Sequence, residues 1–130
     1  MTLGSLDFLY TPSGDVAADL RYLVDVLGAE EVFAIEDGGI RVAMAAFAAP
    51  PAILLTDHLE GDRPIHLFAV PNLDATRAEL EARGWSPERS VELPPGPAIT
   101  FRTPGGLRMA IYQPARPFVV ESFRGRRDFG

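Results

Sequence analysis

The sequence predicts an α+β domain in which a strand-helix-strand-strand-strand unit occurs twice. Three observations lead there. The 130 residues are enough for one domain. Short β-branched or aromatic runs outnumber the two stretches with helical spacing. The order of elements in the first half then recurs in the second.

Leu6 to Tyr10 is short, apolar and partly alternating, and Pro12-Ser13-Gly14 stops it, so it reads as a strand. A helix follows from about Asp15 to Leu27. Val16, Leu20, Leu23 and Leu27 share one face, Ser13 is the expected cap, and Gly28 stands where a left-handed residue ends a helix. Glu31 to Glu36 forms a strand, Asp37-Gly38-Gly39 supplies a tight turn, and Ile40 to Phe47 returns. Pro50-Pro51 interrupts the chain before the strand Ala52 to Asp57.

The second half repeats this order. Pro64 to Val70 is a strand, Asn72 caps a helix from Leu73 to Arg83, and Gly84 ends it. Val91-Glu92-Leu93 is a short strand before the Pro94-Pro95-Gly96-Pro97 break. Ala98 to Thr103 and Leu107 to Gln113 make a hairpin across Pro104-Gly105-Gly106. Gly28 and Gly84 stand at nearly the same offset as Gly39 and Gly96, which argues for duplication. The expected division is a domain over residues 1–113, with halves at about 5–57 and 64–113, and a C-terminal arm over 114–130. A ferredoxin-like arrangement has one strand fewer in each half and leaves residues over. In each half one sheet face lies under its helix. Two such halves side by side curve their free faces into a cup, where small ligands bind.

Composition narrows the function classes. The formal charge of −6 disfavours nucleic acid, which selects clustered positive charge. No apolar run approaches the roughly 20 residues of a membrane helix, and Met1 to Ser5 lacks the features of a secretory signal. The expected location is therefore cytoplasmic. With no cysteine there is neither a disulfide framework nor a thiolate metal site. All 12 basic residues are arginine, which excludes Schiff-base chemistry on a lysine.

Three segments carry a family resemblance. The run Gly96-Pro97-Ala98-Ile99-Thr100-Phe101-Arg102-Thr103-Pro104-Gly105-Gly106-Leu107-Arg108-Met109-Ala110-Ile111-Tyr112 resembles the closing hairpin of the glyoxalase/bleomycin-resistance/extradiol-dioxygenase, or vicinal-oxygen-chelate, superfamily. Leu20 to Gly28 is similar to its first helix, and Val70 to Ala75 to the start of its second. The resemblance covers about residues 5–117 and implies a curved mixed sheet of two βαβββ modules around a ligand cup. It carries little information about chemistry, since one fold hosts unrelated functions.

In catalytic members of this superfamily, His and Glu side chains hold a divalent metal in the cup. Carried over by residue, the last-strand glutamate falls on Ala110 and the second-half histidine on Ile65, with His66 beside it. Strand side chains alternate, so His66 is expected under the helix rather than in the cup. On the first strand only Asp7 is a plausible oxygen donor. A set of Asp7 and His66 falls short of the three protein ligands usual in catalytic sites. The expectation is that no metal or other cofactor is bound. A one-residue change of register would make Asp7 and His66 ligands.

The same parity gives a cup lining. With Ala110 facing inward, so do Arg108 and Tyr112, partnered by Ala98, Thr100 and Arg102, and by Ile65, Leu67 and Ala69 on the second half's first strand. The candidate ligand-binding residues are Leu67, Thr100, Arg102, Arg108, Tyr112 and His58, the last in the loop between the halves. A mostly apolar cup with two arginines suits an aromatic or aliphatic ligand bearing a carboxylate or phosphate. The competing reading pairs these arginines with Glu92 or other acids at the rim. Likewise His58 is either a solvated loop residue or a ligand contact, Tyr112 is half-packed, and Trp85 plugs the core.

In the arm, Pro114 and Pro117 oppose strand, while Phe118, Phe123 and Phe129 favour packing, across a partner or over the cup mouth. The leading functional expectation is a metal-free, homodimeric small-molecule-binding protein. A metal-dependent lyase, isomerase or dioxygenase is the alternative, and a structural or regulatory dimer with a filled cup is the third.

Overall fold

A computed structural model describes residues 2–116 and 118–130. The chain forms two compact units. The first holds residues 7–64 and 123–130, and the second holds the N-terminal segment to Leu6 together with residues 65–122. Each unit is one strand-helix-strand-strand-strand module, so the duplicated order predicted from sequence is the order of the fold.

In the first unit, strand β1 (Leu6–Pro12) leads to helix α1 (Val16–Arg21), which continues as one π turn over Tyr22–Val26. Strands β2 (Glu30–Asp37), β3 (Ile40–Ala46) and β4 (Ala52–Thr56) follow. The sheet order is β2-β3-β4-β1. β2, β3 and β4 are antiparallel in turn, and β1 lies parallel to β4. Val16 and Leu20 are buried with Leu23 and Val24 against Ala34, Ala43, Ala45, Ile53 and Leu55. Three alanines on the sheet let the helix approach closely. The opposite face carries Phe8, Tyr10, Met44, Leu54 and Thr56, as the register requires.

Local chemistry explains the boundaries, with one correction. The α1 cap is Asp15, whose carboxylate accepts from the Ala18 N–H at 3.0 Å, and not Ser13. A cap must directly precede the first helical residue, and Ser13 comes too early. Its hydroxyl instead accepts from the Asp15 N–H and donates to Asp19 at 2.5 Å. At the other end Gly28 is left-handed (φ 80°) and the Ala29 N–H reaches back to the Leu23 carbonyl at 2.9 Å, the wrap that satisfies terminal carbonyls. The Leu27 N–H donates to the Tyr22 carbonyl, an i to i−5 bond that makes the π turn. Gly38 and Gly39 both have positive φ, as the tight β2–β3 turn demands.

The second unit repeats the design with β5 (Ile65–Ala69), α2 (Leu73–Glu81), β6 (Arg89–Leu93), β7 (Gly96–Arg102) and β8 (Arg108–Tyr112). The sheet order is β6-β7-β8-β5, with β5 parallel to β8. Asn72 caps α2 as predicted, accepting from the Ala75 N–H at 2.9 Å. The core under this helix joins Val70, Leu73, Ile99, Phe101 and Ile111 to Leu3, Phe68, Leu80, Trp85 and Met109. Trp85 meets Phe101 edge to face at 5.4 Å, the core role expected of it. β7 begins at Gly96 rather than Ala98. Pro97 is tolerated in the strand because its carbonyl supplies what is needed there, accepting from the Gln113 N–H at 3.0 Å.

The arm packs, as its phenylalanines suggest, but along a strand edge of its own chain. Phe118–Phe123 forms a short helix, α3, and the chain then runs beside β2 of the first unit. Pro114 lies outside any strand, and Pro117 lies outside the described residues. Gly125 N–H donates to the Val32 carbonyl, Ala34 N–H to the Arg126 carbonyl, and Asp128 N–H to the Ala34 carbonyl, at 2.8, 2.8 and 2.7 Å. The arm therefore covers the edge of β2, whose backbone groups would otherwise be open to pairing.

Candidate functional site

The predicted lining parity is that of the second unit. His66, Phe68, Met109, Ile111, Ile99 and Phe101 share cross-strand register, and most of them pack under α2. The alternate set therefore occupies the other face: Leu67 beside Ala110 beside Thr100, Ala69 beside Tyr112 beside Ala98, and Arg108 beside Arg102. Leu67, Ala98, Ala110 and Tyr112 are almost completely buried. Tyr112 is thus packed more fully than its sequence position suggests. Arg108 is 8% exposed, while Thr100 and Arg102 are more open. The face is apolar along most of its length and turns polar at one end.

That polar end contains a residue the sequence does not single out. Glu88 precedes β6 and is tied to β7 by its own N–H, which donates to the Thr100 carbonyl at 2.7 Å. Its carboxylate accepts from Arg102 Nε at 2.9 Å and from the Thr100 hydroxyl at 3.4 Å. Arg102 is therefore paired with an acid, as the competing sequence reading allows, but with Glu88 and not Glu92. Glu92 pairs with Arg116 at 2.8 Å. The hydrogen bond from Arg102 holds the Glu88 carboxyl below its ordinary pKa, with the charges of Arg102 and Arg108 adding to the effect. One carboxylate thus sits in the field of two guanidiniums.

A group with a lowered folded pKa stabilises the fold above its unfolded pKa, and the benefit fades as pH falls through the lowered value. Both partners are about half exposed, so the contribution is small. Wild type is expected to melt slightly above Glu88→Gln at neutral pH. The difference should begin to shrink near the ordinary glutamate range, about pH 4, and vanish only below the lowered Glu88 value. A thermal scan across pH checks this.

His66 lies on the predicted helix-side register, half-buried, with Nδ1 3.2 Å from the Arg108 carbonyl. Asp7 lies in the first unit, on the wall of a shallow, mostly apolar cleft of about 330 Å³. Phe8, Ala46, Phe47, Ala48, Ala49, Pro50 and Ala52 complete that wall. Among the described residues no group of three or more His, Cys, Asp or Glu side chains is placed to hold a metal ion. His58 also belongs to the first unit. Its Nδ1 lies 2.6 Å from the Thr56 hydroxyl and its Nε2 3.4 Å from the Tyr10 hydroxyl. Neither partner is foreseen in the sequence.

No helix of the described residues is long and apolar enough to cross a membrane. No protein-family profile matches the chain, and no curated protein matches it significantly. Solved structures do. Methylmalonyl-CoA epimerase from Mycobacterium tuberculosis superposes with a TM-score of 0.70 at 20% identity, over 91% of this chain and 95% of that one. A hypothetical protein from Bacillus halodurans C-125 gives 0.69 at 14% identity, over 84% and 93%. A single-residue variant of Streptomyces coelicolor methylmalonyl-CoA epimerase, in complex with 2-nitronate-propionyl-CoA, gives 0.66 at 16% identity, over 88% and 97%. At these identities the likeness concerns the fold. With its paired modules and these neighbours, the chain has the fold of the glyoxalase/bleomycin-resistance, or vicinal-oxygen-chelate, superfamily.

Proposed function

We propose that the chain is a metal-free small-molecule-binding protein whose ligand is mostly apolar and carries an anionic group. The observation that carries this reading is the shared register of Leu67, Thr100, Arg102, Arg108 and Tyr112 on the helix-free face of the second unit. The apolar part of a ligand lies against Leu67 and Tyr112, and its carboxylate or phosphate engages Arg102 and Arg108 in competition with Glu88. Bidentate geometry makes arginine suited to such groups. The solved neighbours include methylmalonyl-CoA epimerases, one of them holding 2-nitronate-propionyl-CoA. A coenzyme A ester joins a small acyl group to phosphates, the same pairing of apolar and anionic parts.

A metal-dependent lyase, isomerase or dioxygenase is disfavoured by the donor set. Ala110 and Ile65 stand at two expected ligand positions, His66 is committed to a backbone carbonyl, and among the described residues no third donor joins Asp7. These residues do not fit the family's metal. The near-complete burial of Leu67, Ala98, Ala110 and Tyr112 favours a second reading, in which side chains fill the ligand space and the protein is a structural or regulatory dimer.

Elemental analysis of the purified protein after supplementation with nickel, manganese and zinc separates the first two classes. Metal well below one ion per chain in every sample is expected. Near-stoichiometric metal that is lost in His66→Ala would replace the binding reading with the enzymatic one.

A further inference from the structure

We propose that the first unit carries a binding site for a neutral, hydroxyl-bearing aromatic molecule, built from the apolar cleft at Phe8 and Phe47 and the polar cluster of Tyr10, Thr56 and His58.

The cleft and the cluster share one strand face. Phe8 pairs with Ala52 and Tyr10 with Leu54 across β1 and β4, and Thr56 is two residues beyond Leu54. Phe8 and Tyr10 therefore project to the same side, about 7 Å apart along the strand, roughly the reach of a substituted benzene ring. The cleft volume of about 330 Å³ lies at the small end of ligand pockets, commonly about 300–1,000 Å³. Two phenyl rings, four alanines and a proline form most of its wall. Asp7 is the ionisable group among the lining residues, so the wall favours a neutral occupant over an anion.

The polar end is tied together by its own hydrogen bonds. Thr56 is completely buried, and its hydroxyl meets His58 Nδ1 at 2.6 Å and also bonds the Tyr10 phenol. The His58 backbone N–H points to the same hydroxyl at 3.4 Å. His58 Nε2 lies 3.4 Å from the Tyr10 hydroxyl, and the two rings meet edge to face at 6.1 Å. The carboxylate next in sequence is engaged elsewhere, since Asp57 accepts from the Arg41 N–H at 3.2 Å. The imidazole is therefore held by two hydroxyls rather than by that acid.

A neutral imidazole offers one donor and one acceptor. With Nδ1–H donating to Thr56, Nε2 accepts from the Tyr10 O–H across a long, easily opened bond. Burial raises the pKa of Tyr10, against the partly offsetting Thr56 hydrogen bond, so the phenol stays a donor at neutral pH. A ligand hydroxyl placed between the two satisfies both: it donates to Nε2 and accepts from Tyr10 O–H. A carbonyl or an ether satisfies only one, and this is why the site selects a hydroxyl.

The test uses p-cresol as probe and toluene as its hydroxyl-free control, followed by amide and imidazole NMR shifts in the intact protein. Saturable p-cresol binding is expected at Phe8, Phe47, Ala52 and the His58 ring, with toluene at least fivefold weaker. Tyr10→Phe and His58→Gln should each reduce p-cresol binding toward the toluene value while leaving toluene unchanged. Ala49→Trp, an exposed wall substitution that spares the polar cluster, should abolish both. Absence of saturable shifts, equal binding of both probes, or indifference to Tyr10→Phe and His58→Gln in variants with wild-type melting curves would overturn the proposal.

Discussion

Gly96→Ala is expected to destabilise the protein by about 3–4 kcal/mol, on the order of 10–15 °C in melting temperature for a domain of this size. Gly96 opens β7 and is buried. A Cβ added there would lie 1.8 Å from the Gln113 carbonyl oxygen, 2.9 Å from its carbon and 3.0 Å from the Ala115 nitrogen. All three are backbone atoms, so no side chain can swing aside. The Gln113 backbone is also fixed twice, by its N–H donating to Pro97 and by its side-chain oxygen accepting from the Leu73 N–H at 2.8 Å, at the start of α2. Moving it disturbs a sheet and a helix together. Gly105→Ala is the control, with open space around the added carbon, and should change stability by less than about 1 kcal/mol. Chemical unfolding of both variants checks the contrast.

A chain ending at Ser122 is expected to lose about 3 kcal/mol or more, since it uncovers apolar side chains and backbone groups together. Phe123 packs edge to face on Phe33 at 5.9 Å, and Phe129 joins the core of the first unit with Arg41 stacked 4.7 Å over its ring. Val32, Phe33 and Ala34 are 5% exposed or less and would lose cover. Glu31, whose side chain is 8% exposed, would lose its Arg127 partner at 2.6 Å and keep Arg21. Arg124 pairs with Glu30 at 2.7 Å on the open side, where it contributes little. An unchanged melting temperature would mean that the arm does not hold this position in solution. Phe118→Ala is the control, because Phe118 is 68% exposed.

The parts of the fold legible in the sequence are those set by short-range chemistry. Gly28, the Asp37-Gly38-Gly39 turn and Asn72 each act within a few residues, so residue type and position suffice. Face assignment in β5, β7 and β8 is legible too, because alternation fixes it once Ala110 is placed. Proline is a weaker guide: Pro97 sits inside β7 because its carbonyl, and not a missing N–H, is what the neighbouring chain uses.

What stays hidden depends on distant partners. Glu88 meets Arg102 across 14 residues, Tyr10 meets His58 across 48, and Asp128 accepts from the Glu36 N–H across 92. No local pattern encodes such pairings. Asp57 stands next to His58 in sequence, yet adjacent side chains diverge, and two hydroxyls contact the imidazole instead. The helix at Phe118–Phe123 is likewise masked by flanking prolines and by a tail composition that resembles a linker.

Calorimetric titration with an aromatic carboxylate, such as phenylacetate, and with its uncharged amide tests the anion-binding reading most directly. Wild type is predicted to bind the carboxylate at least tenfold more tightly than the amide. Glu88→Gln, which removes the competing acid, should widen that ratio, and Arg102→Gln should narrow it. Equal affinity for carboxylate and amide, or binding that ignores both substitutions, would contradict the account, and absence of binding by either probe would leave the filled-face reading in its place.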